Sequence, residues 1–395
     1  MKILIADKLS AKTVSALESL GNEVIVKPDL PAEELPGALD GVEALVVRSK
    51  KVKATAMQAA HALSLIIRAG VGVDTIDLDF ASSRGIYVSN CPGKNTDAVA
   101  ELAIGLLIAA DRRIPDAARD MREGRWRKKE YGKAAGLKGR TLGVLGLGAI
   151  GKAVARRAKG LEMHVIAWSR SLTPSAAEES GVEHCPTPQR LFEQADAVSV
   201  HLAATPQTRH FVNADLLNRL KKGAIFVNTS RGDVVDTAAL KAAILQRQLR
   251  AGLDVFEDEP AGGEGPFADK ELAELAVCTP HVGASTDQAS EATADEVVRI
   301  VRTYMDTGKP VNAANVRAAT PARHYLIVRH YNRVGVLAGV FDELRNEGIN
   351  IEEMENTIFE SGTAACCTLK LDRLPLPDTV DRISRGTEII ELLSK

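Results

Sequence analysis

Short apolar runs alternate with amphipathic stretches along the first part of the chain. Strands are predicted at residues 3–6, 23–26, 44–47, 65–68 and 87–89, and residues 11–20 between the first two have helical spacing. Alternation of this kind predicts β-α-β units and therefore a parallel sheet.

A long apolar stretch at residues 95–121 follows, with AVAELAIGLLIAA at its centre. It predicts one long helix, and its internal charges make it a poor membrane span, so we expect it to be buried between domains or subunits. Alternation then resumes, with strands predicted at 165–168, 197–201, 224–228, 252–255 and 276–279. A helix predicted at 289–307 is expected to return the chain to the first domain.

The pattern changes after an aperiodic stretch at residues 308–321, which is typical of a connector. A strand is predicted at 325–329, a helix at 335–347, strands at 349–357 and 364–371, and a last helix that opens at 378–382. This β-α-β-β-α order is typical of a small domain with a split β-α-β arrangement.

The stretch LGVLGLGAIG places a predicted strand directly before Gly146, Gly148 and Gly151. Ala149 and Ile150 lie between the last two glycines. A glycine turn between a strand and a helix lets backbone N–H groups approach a pyrophosphate at the positive helix terminus. Because a strand precedes the turn and a helical pattern follows it, we expect a dinucleotide-binding site rather than a flexible turn.

The composition excludes several classes of function. The 395 residues are too many for one typical domain, and 45% apolar with 26% charged residues is ordinary for a globular protein. A formal net charge of −2 favours neither nucleic acid nor an anionic membrane. Five scattered cysteines without metal-ligand spacing predict free thiols and no metal site. With no predicted signal peptide or membrane span, we expect a cytoplasmic protein.

Polar residues follow three successive predicted strands of the second region, in NTSRG, GLDVFEDEP and TPHVGAST. In an open parallel sheet the carboxyl ends of the strands face one crevice, so these residues are expected to lie together. A histidine can accept a hydroxyl proton, a carboxylate can stabilise the imidazolium, and an arginine can bind a substrate carboxylate. Each residue alone could be a surface or loop residue. Together they predict hydride transfer at a 2-hydroxy acid, with His281 as acid or base, Glu259 as its partner and Arg231 as anchor.

These motifs, with VRSK at 47–50 and RAGVGVD at 68–74, resemble those of the D-isomer-specific 2-hydroxyacid dehydrogenases in order and spacing over about residues 1–315. The resemblance implies that Arg231, Glu259 and His281 form the catalytic set and that Asp254 holds the nicotinamide amide. It also implies cofactor contacts from Thr229, Ser230, Gly283 and Ala284.

The resemblance implies the architecture as well. We expect a Rossmann-type doubly wound α/β cofactor domain at residues 96–284, inserted in a flavodoxin-like split substrate domain at 1–95 and 285–318. The long helix after residue 95 is similar to the family's dimer interface, so the resemblance implies a homodimer or a homotetramer.

Residues 323–395 resemble an ACT domain, a small α+β module that senses amino acids. Its motifs HYNRVGVL and GIN imply that His330, Asn332 and Asn350 bind L-serine at an interface between two such domains. Val334 replaces the usual proline of the motif, and a dimerisation unit that senses nothing remains the alternative.

The substrate is expected to be 3-phosphoglycerate, oxidised at the first step of L-serine biosynthesis. Arg48 and Ser49 match the family's substrate loop, and the hypothesis is that Arg48 and Arg68 bind the distal phosphate. Backbone N–H groups around Val71 and Gly72 can cradle the carboxylate. A reductase of glyoxylate or hydroxypyruvate with the same catalytic set is the first alternative. A dinucleotide-sensing interaction protein, like the corepressors of this family, is the second.

The cofactor is predicted to be NAD or NADP. NAD-specific members usually place an aspartate at the end of the second strand, where it bonds the ribose 2′-hydroxyl, but this chain has Ser169 followed by Arg170. Loss of the carboxylate relieves repulsion of a 2′-phosphate, and an arginine can pair with that phosphate. We therefore favour NADP or dual use over strict NAD. The alternative is that Arg170 points to solvent and NAD binds by its other contacts.

Overall fold

The computed structural model describes residues 1–260, 265–317 and 320–394. They belong to two compact units, Met1–Asn315 and Val316–Lys395. The first unit contains two parallel sheets and the second contains one antiparallel sheet. Within the described ranges, no helix is both long enough and apolar enough to cross a membrane.

The strands are β1 (Lys2–Ile5), β2 (Glu23–Val26), β3 (Ala44–Val47), β4 (Leu65–Arg68), β5 (Tyr87–Asn90), β6 (Thr141–Leu145), β7 (His164–Trp168), β8 (Glu183–His184), β9 (Ala197–Val200), β10 (Ile225–Asn228), β11 (Arg250–Leu253), β12 (Ala276–Cys278), β13 (His324–Tyr331), β14 (Ile351–Ile358), β15 (Ala364–Leu371) and β16 (Ile389–Ser394). The helices are α1 (Ala11–Ser19), α2 (Leu35–Ala38), α3 (Ala54–Ala59), α4 (Leu78–Ser83), α5 (Thr96–Arg112), α6 (Ile114–Arg122), α7 (Lys128–Tyr131), α8 (Ala149–Gly160), α9 (Pro174–Glu179), α10 (Pro188–Gln194), α11 (Ala214–Arg219), α12 (Thr237–Arg247), α13 (Lys270–Leu275), α14 (Asp287–Thr307), α15 (Val336–Glu347) and α16 (Pro377–Ser384).

The first sheet has the strand order β2-β1-β3-β4-β5, and its strands are all parallel. This is the flavodoxin-like order. Its inner strands β3 and β4 are apolar up to Arg68, the last residue of β4, because they are buried on both faces. On one face α14 contributes Val297, Ile300 and Val301 to the same core as Ile3 and Ile5. The helix predicted at 289–307 therefore returns the chain to this sheet, as expected.

The second sheet has the order β12-β11-β10-β9-β6-β7-β8 and is also parallel. The chain enters at β6, builds β7 and β8 on one side and β9 to β12 on the other, which is the doubly wound Rossmann arrangement. Because the chain leaves the first sheet after β5 and returns to it with α14, the segment that forms the second sheet is inserted in the domain built around the first sheet. The predicted fold class is confirmed, whereas its residue boundaries stay a prediction.

The second unit forms an antiparallel sheet of order β14-β15-β13-β16. Along β13, Leu326 and Val328 are buried in one core with Val340 and Leu344 of α15. The unit is α+β, as predicted, and adds the unpredicted strand β16.

In the connector, Asn315 Oδ1 accepts the Val88 N–H at 2.8 Å. The connector residues 318 and 319 lie outside the described residues.

The helix predicted at 95–121 is instead two helices, α5 and α6. Arg113 between them adopts the left-handed conformation, with φ 51°. Pro115 follows in the first turn of α6, where a residue without an N–H is tolerated, whereas in the middle of one continuous helix it would break the hydrogen-bond ladder. The break is therefore set by backbone chemistry, against the continuous apolar pattern.

Candidate active site

The glycine turn joins β6 to α8, as predicted. Gly146 has φ 100°, and a Cβ there would lie 2.7 Å from the His201 carbonyl oxygen. A Cβ at Gly151 would lie 2.1 Å from the Gly146 oxygen, but one at Gly148 would meet nothing within 4 Å. The turn is thus closely packed toward the protein and open at the N-terminus of α8, where Ala149 and Ile150 begin the helix. A pyrophosphate fits this arrangement.

The side chain of Ser169 ties the end of β7 to the glycine turn. Its Oγ accepts the Leu147 N–H at 2.5 Å. The hydroxyl proton of Ser169 is left for a further acceptor, since a serine both donates and accepts. Arg170 follows and is exposed. Ser169 therefore places a hydroxyl where an NAD-specific relative would have a carboxylate, and the cation of Arg170 follows it.

The loop after β10 is folded by Asn228, which is 1% exposed. Its Oδ1 accepts from the N–H and the Oγ of Ser230 at 3.0 and 2.8 Å, and its Nδ2 donates to the Arg231 carbonyl at 3.0 Å. The neighbouring Thr229 Oγ1 is buried and has no hydrogen-bond partner among the described residues. A buried hydroxyl of this kind is available to a bound ligand. With the open glycine turn, it shows that these residues fit a nicotinamide dinucleotide.

Asp254 shapes the loop that carries His281. Its buried carboxylate accepts the Thr279 hydroxyl at 2.6 Å and the N–H groups of Val282 and Gly283 at 2.9 Å each. Burial raises the pKa of Asp254 despite these donors. A Cβ at Gly283 would lie 2.9 Å from its Oδ2, so the glycine permits the close approach. The predicted contact of Asp254 with a nicotinamide amide stays a prediction.

His281 and Glu259 form a hydrogen-bonded pair, as the sequence predicts. His281 Nδ1 lies 2.7 Å from Glu259 Oε2, while Glu259 Oε1 accepts the Phe256 N–H at 3.0 Å. Partial burial opposes ionisation, but His281 and the Phe256 N–H together hold the pKa of Glu259 below its ordinary value. Because Nδ1 is engaged, Nε2 is the imidazole atom available to a substrate. The pair is suited to transfer one proton at that atom.

Arg231 faces the glycine-rich segment that follows β4. Its Nη1 donates to the Ser230 carbonyl at 2.7 Å, and its Nη2 lies 3.4 Å from Asp74 Oδ1. A Cβ at Gly72 would lie 2.2 Å from that Nη2, so only glycine permits the approach. Burial works against the charge of Asp74, but Arg231 leaves its pKa lowered overall. The residues of the second sheet thus meet those of the first sheet across one cleft.

Arg68 passes equally close to the backbone of Gly70, since a Cβ there would lie 1.5 Å from Arg68 Nη1. Its Nε is buried without a partner in the described part of the chain. Burial and the neighbouring Arg231 both lower the pKa of Arg68. Beside it, the carbonyl of Val71 accepts Asn90 Nδ2 at 2.6 Å. An unsatisfied cationic donor beside a second cation forms a place for an anion.

Asp7 holds the substrate loop that follows β3, a role that the sequence did not suggest. Its Oδ2 accepts the N–H groups of Arg48, Ser49 and Lys50 at 2.7, 3.3 and 3.3 Å, and its Oδ1 accepts the Ser49 hydroxyl at 2.9 Å. The Lys50 ammonium donates to the Leu30 carbonyl. Among the described residues of this loop, Arg48 is the one that lines the cavity described next.

A cavity of about 440 Å³ lies at the carboxyl edge of the first sheet. Arg48 and Arg68 line it together with Lys8 and Ser10 of the β1–α1 loop and with Ala284. Lys8 and Ser10 were missed by the sequence reasoning. Their signal was their place directly after β1, because ligands bind beyond the carboxyl ends of parallel strands. The cavity therefore has three cations at the sheet edge, and two carboxylates of α14, Asp287 and Glu291, line it as well.

The three predicted effector residues lie at two ends of the second unit. His330 is 2% exposed, with Nδ1 2.8 Å from the Tyr331 carbonyl, and Asn332 Nδ2 donates to the Gly362 carbonyl at 3.1 Å. His330 pairs with Ala365 on β15, whereas Asn350 precedes Ile351, which pairs with Leu371. Six residues of strand span roughly 20 Å. One copy of the chain therefore does not bring the three together.

The class is defined by the doubly wound sheet and its glycine turn together with the facing His–Glu pair and arginine. It is that of Rossmann-type dinucleotide-binding proteins with a site suited to a 2-hydroxy acid. Residues 104–283 match the profile of the "D-isomer specific 2-hydroxyacid dehydrogenase, NAD binding domain". A glyoxylate reductase of Thermococcus litoralis is 41% identical over 282 residues, which are 69% of this chain and 84% of that protein. The chain belongs to the D-isomer specific 2-hydroxyacid dehydrogenases, and the dinucleotide prediction is confirmed.

Two further relatives carry the names of the two candidate activities. A D-3-phosphoglycerate dehydrogenase of Archaeoglobus fulgidus is 40% identical over 329 residues, which are 82% of this chain and 60% of that protein. The chain spans about three fifths of the length of the curated phosphoglycerate dehydrogenases it matches. The NADPH-dependent glyoxylate/hydroxypyruvate reductase of Sinorhizobium meliloti, solved with NADP and malonate, is 31% identical with a TM-score of 0.69, covering 81% of this chain and 99% of that one.

Proposed function

We propose that the protein is a NAD(P)-dependent D-2-hydroxyacid dehydrogenase that transfers a hydride between 3-phospho-D-glycerate and its cofactor, at the first step of L-serine biosynthesis. The observation that carries the substrate is the pair Arg48 and Arg68, which line one cavity of about 440 Å³. Glyoxylate has one charged group, which Arg231 would bind, and would leave Arg48 and Arg68 of the cavity without an anionic partner. A three-carbon acid that ends in a phosphate supplies an anion at each end.

The chain's own residues divide the chemistry between them. Arg231 exchanges its contact with Asp74 for the substrate carboxylate, which it binds through two parallel hydrogen bonds. His281 takes the hydroxyl proton at Nε2, and Glu259 stabilises the imidazolium that results. The nicotinamide ring, when bound, accepts or supplies the hydride. The open glycine turn receives the dinucleotide together with the Thr229 hydroxyl, which has no partner among the residues that the structure describes.

Turnover of 3-phosphoglycerate, compared with reduction of glyoxylate and hydroxypyruvate, tests the substrate. Arg48→Ala is expected to raise the KM for 3-phosphoglycerate by about tenfold or more, because a charge-assisted hydrogen bond is lost. It should leave hydroxypyruvate nearly unaffected. Lys51→Ala removes the same charge at an exposed position nearby and serves as the control. An unchanged KM in Arg48→Ala would show that Arg48 does not bind the phosphate.

A glyoxylate or hydroxypyruvate reductase is the second candidate, favoured by the Ser169–Arg170 pair in place of a carboxylate. The same pair supports use of NADP, alone or beside NAD, since the Ser169 proton and the Arg170 cation can both meet a 2′-phosphate. Parallel kinetics with NADH and NADPH test this, with Arg170→Ala expected to raise the KM for NADPH more than that for NADH. A large preference for NADH would contradict it.

Regulation by L-serine and assembly into a homodimer or homotetramer belong to the same proposal. Since His330 and Asn332 lie at one end of the second unit and Asn350 at the other, an effector site requires residues of two copies. Titration of L-serine into the assay, with Asn332→Ala as the comparison, tests the site. Inhibition that persists in Asn332→Ala, or no inhibition at all, would contradict it.

A further inference from the structure

A second histidine–glutamate pair involves the loop that carries Glu259, because its glutamate, Glu257, belongs to that loop. His210 Nε2 is 2.5 Å from Glu257 Oε1, and Glu257 Oε2 accepts the Thr237 N–H at 2.9 Å, at the start of α12. Burial opposes the charge of Glu257, but Thr237 and His210 leave its pKa lowered overall. The carboxylate is therefore an ionised acceptor held by two partners from different loops.

This pair joins three loops at the carboxyl edge of the second sheet. The loop after β9 is attached to the loop after β10 by the bonds His210 N–H to Asp233 O and Val212 N–H to Val234 O, of 2.8 and 3.0 Å. The loop after β10 touches the loop after β11 directly, because a Cβ on Gly232 would lie 1.9 Å from the Phe256 carbonyl carbon. The carboxylate of Glu257 then fastens the third loop to the other two.

The position of Glu259 depends on that third loop. The donor that orients Glu259 Oε1 is the N–H of Phe256, the residue directly before Glu257. The other oxygen, Oε2, meets His281 Nδ1 at 2.7 Å. A shift of the Glu257 backbone therefore displaces the Phe256 N–H, and with it the partner of the histidine. Displacements of about 1 Å at such a site can lower a rate by 10²-fold.

His210 is also held in an uncommon backbone conformation. Its φ of 48° lies in the left-handed region, which a residue with a Cβ adopts only where its surroundings enforce it. The bond from its N–H to Asp233 and the bond from its ring to Glu257 supply that enforcement. Conformations of this kind occur often where a site is held in place.

We propose that His210 and Glu257 are positioning residues for the His281–Glu259 pair, and this rests on the function proposed for His281. In the proposed mechanism neither side chain contacts the substrate. The backbone of Arg231 is held separately by Asn228, so loss of the His210–Glu257 contact leaves the carboxylate anchor in place. The effect is expected in kcat and in the pH profile rather than in the substrate KM.

Glu257→Ala is expected to lower kcat about tenfold with the substrate KM within about twofold, and to move the inflection of the kcat/KM pH profile to lower pH, since the imidazolium loses support from Glu259. Glu257→Gln keeps an amide oxygen for the Thr237 N–H and an amide for the His210 ring, and should recover most of kcat. His210→Gln repeats the test from the other partner. His164→Ala removes an exposed histidine whose Nε2 lies 2.9 Å from Glu183, and should behave as wild type.

Wild-type kcat and pH profile in Glu257→Ala would overturn the inference. Equal losses in Glu257→Ala and Glu257→Gln, accompanied by a lowered Tm, would overturn it as well, because they indicate a purely structural contact. His281→Ala is measured beside these variants. Full activity in His281→Ala would refute the proposed function itself, whereas an inactive His281→Ala beside a fully active Glu257→Ala refutes only the positioning role.

Discussion

Replacing Glu259 by glutamine tests the proton-transfer pair with little change of shape. The carboxylate lies 2.7 Å from His281 Nδ1 and is 32% exposed, so solvent screens the pair only in part. A hydrogen bond to a charged group contributes about 1.5–3 kcal/mol. At about 1.4 kcal/mol for each factor of ten, Glu259→Gln should lower kcat/KM by roughly 10- to 150-fold. The KM for the cofactor should change little, since the hydrogen bonds of Glu259 are to Phe256 and His281 and not to the glycine turn.

The pH dependence gives an independent readout of the same contact. The pKa of Glu259 is lowered, so the carboxylate supports the imidazolium throughout neutral pH, and this support is lost only as pH falls through that lowered value. In Glu259→Gln the protonated histidine is less stable at every pH above that lowered pKa. The inflection assigned to the histidine should therefore move to lower pH both for oxidation, which needs the neutral ring, and for reduction, which needs the protonated ring.

Asp258→Asn is the matched control, because it removes one negative charge from the adjacent, exposed position of the same loop. Its steady-state constants should equal those of the wild type. A kcat/KM of Glu259→Gln within about twofold of wild type, with inflections that do not move, would refute the role of the pair. A loss in both variants would instead indicate a general effect of charge.

Three further outcomes are expected. Thr229→Val should raise the cofactor KM by about three- to tenfold without lowering Tm, because the buried hydroxyl has no partner in the described residues; an unchanged KM would contradict this. Asp7→Ala should raise the KM for 3-phosphoglycerate about tenfold and spare glyoxylate, because three N–H groups of the Arg48 loop lose their acceptor; equal effects on both substrates would contradict it. Glu296→Gln should lower the free energy of unfolding by about 2–3 kcal/mol at neutral pH, because Arg299 and Lys94 hold the pKa of Glu296 at about 2. Since a lowered folded-state pKa stabilises above the ordinary value of 4.5 and loses its effect as pH falls toward about 2, urea midpoints of the two proteins should converge in acid, and a constant difference would contradict this.

Much of the fold follows from local pattern. Most strands of both parallel sheets were predicted to within about two residues because their central residues are buried and apolar, as Ile225, Phe226 and Val227 of β10 are. The short strand β8 has only two residues and offers no periodicity to detect. The glycine turn was predicted because strand, turn and helix are contiguous. The end of the strand, the turn and the start of the helix all lie within ten residues.

Contacts between distant segments could not be predicted in this way. Asp7 accepts the backbone of Arg48, 41 residues later, and no pattern near either residue signals the contact. Lys8 likewise reaches the cavity only because β1 and β3 are neighbours in the sheet. Strand order must therefore be known before the lining of the cavity can be deduced, and strand order is set by packing of the whole unit.

The candidate site divides reactive residues from the residues that place them, and only the first kind is visible in the sequence. Arg231 and His281 were identified by chemical type at strand ends, but the loops that carry them are held by Asn228 and Asp254, each 1% exposed. Asn228 binds the loop that directly follows it, whereas Asp254 binds the loop after the next strand. Because a backbone N–H donates to any nearby oxygen whatever its own side chain, such contacts leave no residue-type signature at the donor. It follows that the geometry of proton transfer here depends on buried acceptors as much as on the reactive groups, and that conservative changes at Asn228 or Asp254 should lower kcat without altering any group that touches the substrate.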